Sequence, residues 1–409
     1  MTTGGTPPAS GTPGGRLAQM LLETVRRELF DVDEVIRLCL IAFYTDGHVL
    51  LEANPGMGKT QLVKALGAAL ALKWGRIQFT PDLMPADITG TFMPDPQGGG
   101  AGRLSFQPGP VFASVLLADE INRATPKTQS AMLEAMAEHQ VTVLGRTYLL
   151  PDYQQQLADP TPRPFMVLAT QNPIDQEGTY TLPEAQADRF MFKILMPLPG
   201  ASTLGQIVDK EAGPASPRGS DGVTSRQRGA LDAETSLEWY PRVQHEIRQL
   251  EALDALEAHI VNLVAATNRQ FDQVDGVEGD DRRWLEESVP ALFPYGLGPR
   301  AAIALMRGAK AWTYLFSADT PRADGTALAR VVIPTLRHRI RLTYDWREQY
   351  TQDRDADRWA APDAEAQLLE RLIAELCQRT APSSREYGGP EYQRSVTVAL
   401  RDVVEARRC

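Results

Sequence analysis

At 409 residues, with 43% hydrophobic and 23% charged side chains, the chain is longer than one ordinary domain core and has the balance of a water-soluble folded protein. Its net charge of −10 argues against a general nucleic-acid binder, which needs a basic footprint. The longest strongly apolar run, residues 111–118, is far short of the ~20 residues a membrane helix needs, so membrane insertion is not expected.

Residues 1–15, MTTGGTPPASGTPGG, lack the basic start and apolar stretch of a secretory signal and read as a disordered tail. Residues 17–43 carry apolar side chains at helical spacing, which predicts two amphipathic helices broken near Phe30-Asp31-Val32. HVLLE at 48–52 predicts a buried parallel strand, followed by a Gly-rich turn and a helix over 61–72. Further strands are expected at 76–79, 115–118, 165–170 and 191–196, with a helix at 127–138. This alternation predicts an α/β core over 16–199, a parallel sheet covered by helices. Segments 88–106 and 140–150 read as hairpins, the first with a Gly-rich tip and the second turning at Gly145.

Beyond the core, residues 200–238 are rich in Gly, Pro, Ser and charge and read as a linker or insertion. Residues 239–350 read as an all-helical domain, with segments at 250–271, 300–316 and 329–344. Residues 351–409 read as an extension with one amphipathic helix from 364. The basic cluster Arg337, His338, Arg339 and Arg341 reads as a solvated helix face rather than a nucleic-acid contact. Cys39, Cys377 and Cys409 lie far apart with no CxxC spacing, so no disulfide or zinc framework is expected. A reducing, cytoplasmic setting fits them.

The sharpest motif lies between the first strand and its helix. The stretch Asn54, Pro55, Gly56, Met57, Gly58, Lys59, Thr60 and Gln61 meets the phosphate-loop pattern, except that Ala53 stands where its first glycine would be. Gly56 and Gly58 allow backbone N–H groups to turn toward phosphates; Lys59 would reach the β and γ phosphates of ATP, and the Thr60 hydroxyl would ligate Mg²⁺. VLLADEINR at 115–123 puts two carboxylates at a strand's carboxyl end, where parallel α/β sheets bind ligands. Asp119 would hold Mg²⁺, and Glu120 would accept a proton from the attacking water. Asn172, just past the strand FMVLAT, could orient that water. Arg189 could pair structurally with a nearby acid or, in a ring, reach the neighbour's γ-phosphate.

With these residues in view, the chain resembles the MoxR family of AAA+ ATPases. Residues 77–93 (IQFTPDLMPADITGTFM), 107–146 (through LLADEINRATPKTQSAMLEAM) and 165–193 (through ATQNPIDQEGTYTLPEAQADRF) carry the likeness, which resumes at 298–300 and at TLRHRIRL, 335–342. The resemblance implies an AAA+ α/β core with a helical lid, and Mg-ATP hydrolysis between subunits of a ring, usually of six. It matches Lys59 and Thr60 to the first Walker motif, Asp119 and Glu120 to the second, Asn172 to sensor 1 and Arg189 to the arginine finger. It matches Arg300 to sensor 2, although by itself Arg300 reads as a solvated helix start. It implies a chaperone-like motor acting on a protein partner, one with a von Willebrand A domain, and hairpins that line the ring's pore. The chain departs from the family at Ala53, at Phe30-Asp31-Val32-Asp33 (usually a Gly-Gln pair near adenine), at 200–236, and at 319–327, which lacks the usual acidic helix start. A nucleotide-controlled scaffold with little hydrolysis, or a nucleic-acid motor, are the rival readings.

Overall fold

The computed structural model describes residues 11–54, 56–94, 104–152, 163–172, 180, 182–212, 231–317, 322–343 and 364–406. Pro55, the tip of the first hairpin, residues 213–230 and 351–363, Cys409 and residues 1–10 therefore lie outside the described residues. The chain divides into an α/β unit (16–190 and 194–245) and a helical unit formed by 246–409 with 191–193 and 1–15. Among the described residues, no helix is long and apolar enough to cross a membrane.

The α/β unit opens with helices α1 (Pro13–Arg26) and α2 (Asp33–Tyr44), the latter buried over most of its surface. Strand β1 (Val49–Glu52) leads into α3 (Lys59–Ala69), and β2 (Trp74–Gln78) into the short α4 (Pro85–Thr89). The hairpin β3 (Gly90–Pro94)–β4 (Leu104–Pro108) precedes β5 (Val115–Asp119) and α5 (Pro126–Glu138). The second hairpin, β6 (Gln140–Val143)–β7 (Arg146–Leu149), turns through Leu144 and Gly145, both at positive φ. Then come β8 (Met166–Gln171), α6 (Glu184–Ala187) and β9 (Phe192–Leu195).

Five strands form one sheet in the order β2-β5-β8-β1-β9, with β2–β5, β5–β8 and β8–β1 parallel. The strand sequences explain the order. VLLAD of β5 is buried at every position, as a central parallel strand must be, whereas WGRIQ of β2 buries only Ile77 fully and lies at an edge. Phe79, Ile88, Leu116, Met132, Phe165 and Phe190 close the core on the side that carries the hairpins.

Helix α7 (Ala201–Ala212) and the start of α8 (Ala233–Gln249) fall within 200–238, the range read as linker. Ser236 is buried there and bonds the Leu70 carbonyl, so this part of the range packs onto the α/β unit. The tail reading also fails at its end. Pro13 takes the first helical position of α1, and the Thr12 hydroxyl accepts from the Gly15 amide at 2.9 Å, which is helix-start chemistry that composition alone hides.

The helical unit comprises α9 (Asp254–Thr267), α10 (Gly279–Leu292), α11 (Pro299–Phe316), α12 (Gly325–Leu336), α13 (Ala364–Thr380) and α14 (Pro390–Ala406). Helix α12, GTALARVVIPTL, is apolar nearly all round, and α11, α13 and α14 pack about it. At its start the Asp324 carboxylate caps the Thr326 and Ala327 amides. The extension supplies two helices rather than one. The basic cluster is no solvated face, because Arg337 is buried against Glu370 and only Arg341 of the four is exposed.

Candidate nucleotide site

Three neighbouring strands, β5, β8 and β1, end together at their carboxyl edge. Glu52 at the end of β1 is in register with Gln171 at the end of β8, and the Gln171 amide donates to Glu52 Oε2 at 2.6 Å. Asn172 follows one residue later. The phosphate loop leaves β1, and the acid pair ends β5, so one edge gathers every core motif except Arg189.

In the loop, Gly56 and Gly58 hold φ of 82° and 74°, the left-handed region where an L side chain is strained. A Cβ on Gly58 would also come within 3.3 Å of Leu29 Cδ2. Ala53 is buried and is not at positive φ, so the alanine at this position carries no backbone strain. Helix α3 starts at Lys59, leaving the amides of its first turn, which includes Thr60 and Gln61, without intrahelical acceptors and suited to phosphate oxygens. Lys59 Nζ rests on the Ala53 carbonyl at 3.4 Å, and the Gln61 amide reaches Glu28 at 3.3 Å. Asn54 is exposed and Met57 half-buried.

Asp119 has a side chain only 9% exposed, so its charge needs partners. Thr170 Oγ1 donates to Oδ1 at 2.7 Å, and Arg76 Nη2 donates to Oδ2 at 2.7 Å. Glu120 adopts φ 56°, ψ 49°, a left-handed conformation that ends the strand and starts the 3₁₀ turn Ile121–Arg123. Its amide donates to the same Thr170 hydroxyl at 2.8 Å, and its carboxylate pairs with Arg123 at 3.0 Å. Thr170 thus holds both acids at once.

The residues fit a bound Mg²⁺. An ionised carboxylate offers about four acceptor sites, and Asp119 uses only two of them on Thr170 and Arg76. With the Thr60 hydroxyl it makes a hard-oxygen set, the kind Mg²⁺ takes when phosphates and water complete its shell. Among the described residues there is no cluster of three or more His, Cys, Asp or Glu that would cage a metal alone.

The two remaining arginines lie elsewhere. Arg189, just past α6, donates through Nη1 to the Leu133 carbonyl of α5, while its Nε is buried without a partner. Arg300 sits exposed in the first turn of α11, in the helical unit. Sequence reasoning missed Thr170, Arg76 and Arg123. A polar Thr ending the apolar run FMVLAT was a usable signal for the first; nothing local marks Arg76.

The model of the ATPase family associated with various cellular activities (AAA) matches residues 48–192, and the AAA lid domain matches 291–358. The uncharacterized protein YeaC of Bacillus subtilis is 37% identical, covering 73% of this chain and 79% of its own. Chaperone MoxR1 of Mycobacterium tuberculosis is 34% identical, covering 84% and 87%. The crystal structure of a candidate ATPase from Cytophaga hutchinsonii is 31% identical with a TM-score of 0.68, covering 88% of this chain and 94% of that one.

Proposed function

The chain belongs to the MoxR family of AAA+ ATPases, and on that premise we propose that it hydrolyses Mg-ATP as a ring-forming, chaperone-like motor that remodels, matures or activates a protein partner. The observation that carries the reading is the meeting of phosphate loop, acid pair and polar amide at the carboxyl ends of three adjacent strands.

Amides from Gly56 to Thr60 would hold the phosphates, with Lys59 neutralising them. Thr60 and Asp119 would hold Mg²⁺, which supplies charge neutralisation of the phosphate oxygens when bound. Glu120 takes the proton of the attacking water, and Asn172 orients that water. For this, Glu120 must give up Arg123, its ion-pair partner in this structure. Arg189 acts on the nucleotide of the next subunit in a homo-hexamer, and Arg300 reaches the nucleotide from the lid. The partner proposed is a protein with a von Willebrand A domain, and the setting proposed for this chain is cytoplasmic.

A nucleotide-controlled scaffold draws support from the same Glu120–Arg123 pair and from Arg189 bonding its own backbone. Steady-state ATPase assays of wild type and Glu120→Gln across protein concentrations, with assembly mass measured in ATP, separate the two. The motor requires activity that rises with assembly and falls roughly 10²-fold or more in the variant, with nucleotide binding intact. Turnover in Glu120→Gln equal to wild type sinks the base assignment. Assembly without glutamate-dependent turnover favours the scaffold.

A further inference from the structure

Among the described residues strand β9 is the last of the sheet, so its outer carbonyls have no strand to accept from. Residues two apart in a strand turn their carbonyls to the same side. Met191, just before β9, and Lys193 within it have this spacing, and both carbonyls are taken by arginines that follow α12. Arg339 Nη1 donates to Met191 O at 3.1 Å, and Arg337 Nη1 donates to Lys193 O at 3.0 Å. Arg337 also forms an ion pair through Nη2 with Glu370 of α13, their side chains only 5% and 12% exposed. One planar guanidinium thereby bonds a carboxylate and a carbonyl together, which a lysine ammonium, without a fixed fork, does less well. Residues 191–193 accordingly group with the helical unit, although the chain on both sides of them belongs to the α/β unit.

Arg189 lies two residues before Met191, with only the buried Phe190 between. We infer that Arg337 and Arg339 are positioning residues for Arg189: by gripping Met191 and Lys193 they fix, from α12 and α13, where Arg189 is presented to the neighbouring subunit's nucleotide. This rests on the reading above that Arg189 acts in trans.

Arg337→Ala would remove the ion pair to Glu370 and is expected to destabilise the helical unit, so the test uses Arg339→Gln and Arg339→Lys in the full chain. Arg339→Gln lowers kcat roughly tenfold or more and leaves KM for ATP within about twofold, while Arg339→Lys, which keeps one donor, recovers part of the loss. The deciding readout is mixing. Glu120→Gln subunits have a dead site of their own but an intact Arg189 and clamp. Added to Arg339→Gln subunits they restore turnover, as they do for Arg189→Ala subunits. A defect that was merely structural within each subunit would not be rescued. Rescue of Arg189→Ala without rescue of Arg339→Gln overturns the clamp alone. Failure to rescue either variant removes the trans reading of Arg189, and the inference with it.

Discussion

The hydroxyl of Thr170 accepts from the Glu120 amide and donates to Asp119, and the residue is fully buried. Thr170→Val keeps the shape and removes both bonds, leaving a buried N–H and a carboxylate oxygen short of a partner. A cost of about 1–3 kcal/mol follows. It should appear in denaturant melts together with weaker Mg-dependent nucleotide binding, and Thr170→Ser should restore both. A valine variant indistinguishable from wild type in both assays would show that Thr170 does not hold the acids. The same residue marks the limit of what a sequence reveals about a site. Lys59, Thr60, Asp119 and Glu120 could be read because a phosphate loop and a strand-ending acid pair are contiguous strings. The partners of Asp119 could not: the polar Thr170 ending FMVLAT marks a position without naming its contact, nothing local marks Arg76, and the two meet Asp119 across 51 and 43 residues of chain through strand pairing. Ala53 was legible only as a departure; the backbone angle that makes it harmless belongs to the fold.

Each hairpin is a two-stranded ribbon, marginal by itself in water, and needs something to pack against. Phe106 of β4 stacks on Tyr148 of β7 at 4.0 Å and 15°, and meets Phe92 at 5.6 Å and Phe112 at 5.7 Å. Arg146 lies over Phe92 at 5.8 Å. The two hairpins are therefore joined through one aromatic group. Tyr148→Ala should loosen that join at a cost of about 3–5 kcal/mol, the usual range for deleting a buried aromatic ring. Hydrogen exchange should quicken in β6 and β7 while β5 keeps its protection; equal quickening in β5 would mean that the ring supports the whole core instead. The first hairpin was legible from its Gly-rich tip, the second from alternation around Gly145, and the α/β alternation from apolar period. Helix α10 was not, because it opens on the polar run GDDRR and contains Pro290, leaving a stripe of only Leu285, Val289 and Leu292. Helix α14 was missed although Tyr392, Val396, Ala399, Leu400 and Val403 stand at helical spacing, a signal present in the sequence. The arginine cluster misled for a related reason: i, i+2 spacing beside apolar residues looks like a wet helix face, but the helix ends at Leu336 and the arginines turn inward to carbonyls.

Each of the two units has a neutral histidine at its centre, and this makes the stability of the whole molecule depend on pH. His48 accepts from the Val167 amide at Nδ1 (3.1 Å), so its proton is on Nε2, donated to the Met136 carbonyl at 2.9 Å. His259 faces the Cys377 carbonyl through Nε2 at 2.7 Å and Tyr392 through Nδ1 at 3.2 Å. Burial, the largest influence on each, pushes both from 6.5 down to about 4; at His48 the neighbouring His139 adds to it, while the Met136 carbonyl and Asp46 oppose it. Between those values the unfolded chain takes up a proton at each ring that the folded chain refuses. Unfolding free energy must therefore fall as pH drops through 6.5 and level off below about 4, each histidine withdrawing about 2 kcal/mol by pH 5. Urea melts at about pH 7.5 and 5 should show this loss, and His48→Gln and His259→Gln should each flatten the profile by its own share. Because the histidines sit in different units, separate unfolding of the units would assign each flattening to one transition: His48 to the α/β unit and His259 to the helical unit. A glutamine variant as acid-sensitive as wild type would mean that its histidine is already protonated in the folded chain at pH 5, and that water reaches a ring this packing closes off.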